Sequence, residues 1–162
     1  MLSLEARSLE AVGKLEAEFP YAATLLVYVV LERCLKLHLL QSRHTLTEKD
    51  VELAKPVGRK SQKVVDFKNL DDACFIRQFL ENCTLGALEI IYRVPERKYS
   101  DHRNKVFHSD LYMKDQLGKD DKSREAMNRQ YLETAKMHLI EASELYFRRR
   151  IIKSNGVLRF QG

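Results

Sequence analysis

The stretch Ser100–His108, SDHRNKVFH, gathers an arginine, an asparagine and two of the chain's five histidines. An imidazole can take or give a proton near neutral pH, and a guanidinium holds phosphate oxygens through paired N–H groups. Together these are the parts needed to cleave an RNA phosphodiester without a metal ion. The Arg-x-x-x-x-His spacing alone is unselective, because Arg33 precedes His38 and Arg97 precedes His102 by the same interval. Only Arg103-Asn104-x-x-x-His108 places an amide directly after the arginine. On a helix, Asn104 and His108 stand one turn apart, roughly 40° around the axis, so the amide can hydrogen-bond one ring nitrogen. Arg103 lies about 140° from His108 and about 7.5 Å along the axis, and must reach around to share a ligand with it. With Ser100 or Asp101 as the helix cap, Arg103 falls in the first turn, where free backbone N–H groups favour a phosphate.

These residues need helices to position them, and helical periodicity runs through most of the chain, with no convincing strand alternation. A first helix over about residues 4–18 puts Leu9, Val12, Leu15 and Phe19 on one face. Pro20 suits the first position of a second helix reaching about Gln41, apolar nearly all round in its first half and so expected at the centre. Thr47–Asp50 reads as a cap and acidic first turn of a short helix ending before Pro56. A basic loop follows. From about Leu70 to Val94 the series Ala73, Ile76, Leu80, Cys83, Ala87 and Ile91 describes one continuous helical seam, ended by Pro95. The motif helix would run from Ser100 or Asp101 to about Leu117. The last, about Lys122 to Lys153, carries Met127, Tyr131, Ala135, Leu139, Ala142 and Tyr146, with Asn155 and Gly156 as its left-handed stop. The expected architecture is an all-α, up-and-down bundle of four to five main helices plus a short extra one. It spans residues 1–153, with 154–162 as a tail.

RNKVFH resembles the Arg-polar-x-x-x-His motif of the HEPN superfamily, small helical-bundle proteins many of which are metal-independent endoribonucleases. LERCLKLHLL (Leu31–Leu40) is similar to the Glu-x-x-Leu-Lys pattern of an early HEPN helix, here Glu32, Leu35 and Lys36. The resemblance implies that His108 acts as base on a ribose 2′-OH or as acid to the leaving 5′-oxygen. It implies that Arg103 stabilises phosphate charge and that Asn104 orients the histidine. The products would carry 2′,3′-cyclic phosphate and 5′-OH ends. The family implies single-stranded RNA as substrate, a homodimer that pairs two motifs across its interface, and an inhibitory partner protein where the nuclease is a toxin. Toxin-type members often carry a modified tyrosine two residues after the histidine. Here that place is Asp110 and the nearest tyrosine is Tyr112, a departure from the modification-controlled pattern.

Candidate substrate contacts are His102, Lys36, Lys105 and Arg148. Each has an ordinary reading: His102 as a solvated neighbour of the cap, and Lys36 as the i,i+4 ion-pair partner of Glu32. The runs Arg59–Lys68 and Arg148–Arg150 could follow a phosphate backbone, though such runs are commonly only solvated. The adjacent His108, Ser109 and Asp110 cannot face one another as a hydrolase triad does. Cys34, Cys74 and Cys83 sit inside apolar helical patterns without CxxC spacing and read as reduced core residues. No Glu-x-x-His pair, zinc spacing or Gly-rich phosphate loop occurs, so no metal or cofactor is expected. The competing reading is a non-catalytic helical module that docks a protein or a nucleotide.

Composition agrees with this picture. A chain of 162 residues suffices for one core, and 6 Gly and 3 Pro leave few breaks. Charged residues make up 31%, and the longest apolar run, Ala22–Leu31, is half the roughly 20 residues a spanning helix needs. The N-terminal MLSLEARSLE carries acids where a signal peptide needs a basic start, so a cytoplasmic protein is expected. A net charge of +5 permits an acidic partner without demanding one.

Overall fold

A computed structural model describes residues 3–41, 81, 83–108 and 118–162. It is mostly helical, with one small antiparallel hairpin. Helix α1 (Leu4–Leu15) opens at Ser3, whose hydroxyl accepts the Ala6 N–H at 3.1 Å. Leu9 and Val12 bury its inner face, but the helix stops at Leu15, so Phe19 loses the helical phase and stays 57% exposed. Two cations of a later helix close this end: the Arg129 guanidinium donates to the carbonyls of Glu16 and Ala17, and Lys136 pairs with the Glu16 carboxylate.

Pro20 opens α2 (Pro20–Gln41) as expected, because its missing N–H falls where no intrahelical partner exists. Val27, Tyr28, Val30, Leu31, Leu35 and Leu39 are almost fully buried, and α2 packs against every other described helix. It is the central element. The short α3 (Leu85–Tyr92) follows, with Thr84 as its cap accepting the Ala87 N–H. Among the described residues this breaks the expected continuous seam at Cys83–Thr84, because a capping hydroxyl and an extended backbone replace a helical turn. The earlier part of that seam and the helix expected near Thr47 lie outside the described residues.

Between α3 and α4 (Lys98–Phe107) the chain turns sharply through a 3-10 turn at Pro95–Arg97, and Arg93, Glu96 and Arg97 all have positive φ. Helix α5 (Asp121–Tyr146) is capped by Asp120, which accepts the Ser123 N–H at 2.7 Å. Its expected stripe is the buried one, with Tyr131, Ala135, Leu139 and Ala142 in the core.

α5 ends at Tyr146 rather than Lys153. Strands β1 (Ile151–Ser154) and β2 (Val157–Phe160) pair antiparallel in the segment expected to be a helix end and a tail. Asn155 and Gly156 do adopt left-handed angles, but as a two-residue hairpin turn and not as a helix stop. Ile151 and Leu158 are buried, the Ser143 hydroxyl accepts the Ile151 N–H at 2.8 Å, and Val157 lies 3.6 Å from the position of a Cβ on Gly13. The hairpin therefore continues the core over α1 and α5. No helix among the described residues is long and apolar enough to cross a membrane.

Candidate functional site

Helix α4 carries the Arg-Asn-x-x-x-His string, and what anchors α4 sets its geometry. Its N-terminal N–H groups point into the protein, where the buried Glu89 carboxylate of α3 accepts from Tyr99 at 3.2 Å and Ser100 at 2.9 Å. A carboxylate is well suited to these orphan donors and to the positive helix end. The expected cap at Ser100 or Asp101 is thereby corrected: the helix begins at Lys98, and Ser100 instead gives its hydroxyl proton to the Arg97 carbonyl. Two consequences follow for the motif. Arg103 stands in the second turn, not the first, and the N–H groups at the actual helix start, those of Tyr99 and Ser100, already hold Glu89.

Arg103 is half-buried, and its Nε and Nη2 both donate to Oδ1 of Asn104, at 3.3 and 3.2 Å. The asparagine oxygen thus holds the arginine, where sequence geometry expected it to orient the histidine. His108 is the residue at which α4 ends. Its N–H closes the last turn on the Asn104 carbonyl at 2.8 Å, its backbone is extended, and its side chain is exposed. The helix expected to reach Leu117 ends at Phe107, and residues 109–117 lie outside the described ones. Phe107 itself faces α2, edge-on to Tyr21 and Tyr28 at 5.8 and 6.0 Å between ring centroids.

The remaining candidates are spread over α4, α2 and the end of α5. Lys105 is exposed on α4. Lys36 pairs with Glu32 on α2 at 3.8 Å and sits within electrostatic reach of Cys83 at the entry to α3. Arg148 follows α5 and lines a cavity of about 470 Å³ with Glu5, Cys34 and His38. The thiols of Cys34 and Cys83 are both pushed up to about 12 by burial, which leaves them protonated and unreactive.

His102 is not a solvated neighbour of the cap. It turns inward, and its Nδ1 hydrogen-bonds the hydroxyl of Tyr28, a residue 2% exposed on α2. The same hydroxyl meets Nδ1 of His138 on α5 at 2.9 Å. Burial, His138 and then Lys105 lower the His102 pKa to about 4, and burial lowers that of His138 as well. Burial likewise holds Tyr28 firmly in the phenol form. Neither Tyr28 nor His138 was legible as a site residue, since each falls on an apolar helical stripe. The only signal was a polar ring on a face that should bury. Among the described residues no group of three or more His, Cys, Asp or Glu is placed to hold a metal ion. No family model matches the chain, nor does any curated protein or solved structure.

Proposed function

We propose that this protein is a HEPN-type endoribonuclease acting without a metal ion on single-stranded RNA. The observation that carries this reading is the side-chain pair at Arg103 and Asn104 followed by the exposed His108 at the end of the same helix. An arginine free in solvent loses rotamer entropy when it binds, whereas one already held by a neighbouring amide loses less. Two of its five N–H groups are spent on Asn104, and three remain for phosphate oxygens.

In the proposed reaction His108 takes the proton of the ribose 2′-OH as the 2′-oxygen bonds to phosphorus. The P–O5′ bond breaks, and the leaving oxygen receives a proton from a histidine acting as acid, giving 2′,3′-cyclic phosphate and 5′-OH ends. Arg103 opposes the charge that builds on the non-bridging oxygens. A homodimer would supply the second histidine. The role of Asn104 is to position Arg103. Glu89 has no part in the reaction and fixes the start of the helix.

The test is cleavage of RNA by the purified protein in EDTA, beside His108→Ala and Arg103→Ala, with product ends mapped. Cyclic phosphate ends that vanish in both variants, with rates lower by about 10²-fold or more, are expected. A well-folded wild-type dimer that cleaves no RNA would sink the proposal and leave a binding module with RNKVFH as a partner surface.

A further inference from the structure

Three helices bring Tyr28, His102 and His138 to one point, and the proposed reaction uses none of the contacts between them. The Tyr28 hydroxyl meets Nδ1 of both histidines, whose rings stand perpendicular with centroids 5.4 Å apart. A phenol has one hydrogen to donate. It can therefore donate to one Nδ1 only, and the other Nδ1 must carry its own hydrogen and donate to the phenol oxygen. Two neutral histidines in this arrangement must hold opposite tautomers. Both residues are partly buried, and among the described residues the only fully buried side-chain N or O lacking a partner is Asn128 Oδ1, so each Nε2, which has no bonded partner among them, keeps contact with solvent.

We propose that His102, Tyr28 and His138 form a proton relay between two solvent-facing histidine edges, and that its shared hydrogens tie α4 to α2 and α5. In one passage a proton from water adds to Nε2 of the histidine whose Nδ1 carries hydrogen. That ring gives its Nδ1 proton to the phenol oxygen, and the phenol gives its own proton to Nδ1 of the second ring. The second ring then releases its Nε2 proton to water. One proton enters, one leaves, both histidines exchange tautomers, and no charge stays behind.

The surroundings favour this neutral state. His102 faces Tyr28 of α2, Tyr131 and His138 of α5, and the charge of Lys105 on its own helix. His138 faces Tyr28, Tyr99 and the Lys98 charge from α4, and Glu141 on its own helix. Glu89 of α3 and Arg103 act on Tyr28 with opposite signs. Glu141 is already engaged by Lys98 and by the Tyr99 hydroxyl, and neither imidazole has a carboxylate bonded to it among the described residues. Charging both rings at once would also turn two Nδ1–H donors onto one oxygen. The relay is independent of the ribonuclease reading, since it requires only that the three helices pack as they do.

The experiment is long-range ¹H–¹⁵N spectroscopy of the full chain with ¹⁵N-labelled histidine at pH 7, on wild type and on Tyr28→Phe. In wild type the Nδ1–H populations of His102 and His138 should sum to one, and both rings should be neutral. In Tyr28→Phe the two rings should take tautomers independently and titrate without reference to each other. Two Nε2–H rings in wild type, a charged ring at pH 7, or spectra unmoved by Tyr28→Phe would each overturn the relay. If Tyr28→Phe does not fold, the wild-type populations decide the matter alone.

Discussion

Glu89 anchors the start of α4. Its carboxylate is 1% exposed and accepts two backbone N–H groups at a helix start, where hydrogen bonds to a charged acceptor contribute about 1.5–3 kcal/mol. Glu89→Gln keeps the shape but turns an NH₂ toward one of those donors. It should cost about 2 kcal/mol in a urea melt, and a variant as stable as wild type would show that Glu89 does not hold the helix. Asn104 acts one step further out. If the protein is the proposed nuclease and Asn104 positions Arg103, Asn104→Ala should lower kcat for RNA about tenfold, while Asn104→Asp, which keeps the accepting oxygen, should recover much of the loss. Equal damage from both would argue for the histidine-orienting role expected from spacing.

At the scale of the element, the hairpin makes the sharpest claims. Gly156 has φ +78 with nothing within 4 Å of a Cβ, so Gly156→Ala is opposed by backbone strain alone, about 1 kcal/mol. Gly13 is the opposite case. It sits inside α1 with ordinary 3.6 Å contact to Val157, and Gly13→Ala should stabilise by about 0.5–1 kcal/mol. Thermal melts of the two variants should shift in opposite directions. A shift of Gly13→Ala downward would mean that α1 and β2 lie closer than described. Leu158 tests whether the hairpin belongs to the core: Leu158→Ala at a 3% exposed position should cost about 2–4 kcal/mol. A residue in a loose tail would cost almost nothing.

Across the whole molecule, the packing of α2, α4 and α5 partly buries two neutral histidines, and this makes stability depend on pH. Both folded-state pKa values lie below the ordinary 6.5, that of His102 at about 4. The unfolded chain therefore binds protons more readily than the folded one between those values. The stabilisation is complete above about pH 6.5 and is lost as pH falls toward 4. The melting temperature should drop over that window in wild type, and less steeply in His102→Gln. A flat profile in wild type from pH 7 to 4 would contradict the partly buried neutral pair.

Local physics made several features legible from the residues alone. Pro20 starts a helix because its fixed φ and missing N–H suit the first helical position, and the α5 stripe is buried because apolar residues recur every three or four places. Arg103 lies on a helix for the same local reason, but His108 falls just past the last helical residue, Phe107, as a cap with extended backbone. Asn155–Gly156 announced left-handed backbone, but a helix stop and a hairpin turn need the same angles. Only the packing of Ile151 and Leu158 over α1 and α5 chose between them. Residues far apart in the chain met only on folding: Glu89 found the α4 N–H groups, and Tyr28 found His102 and His138. Spacing along one helix says which side chains are neighbours on it. Which polar groups from different helices must satisfy each other is decided when water is excluded between them.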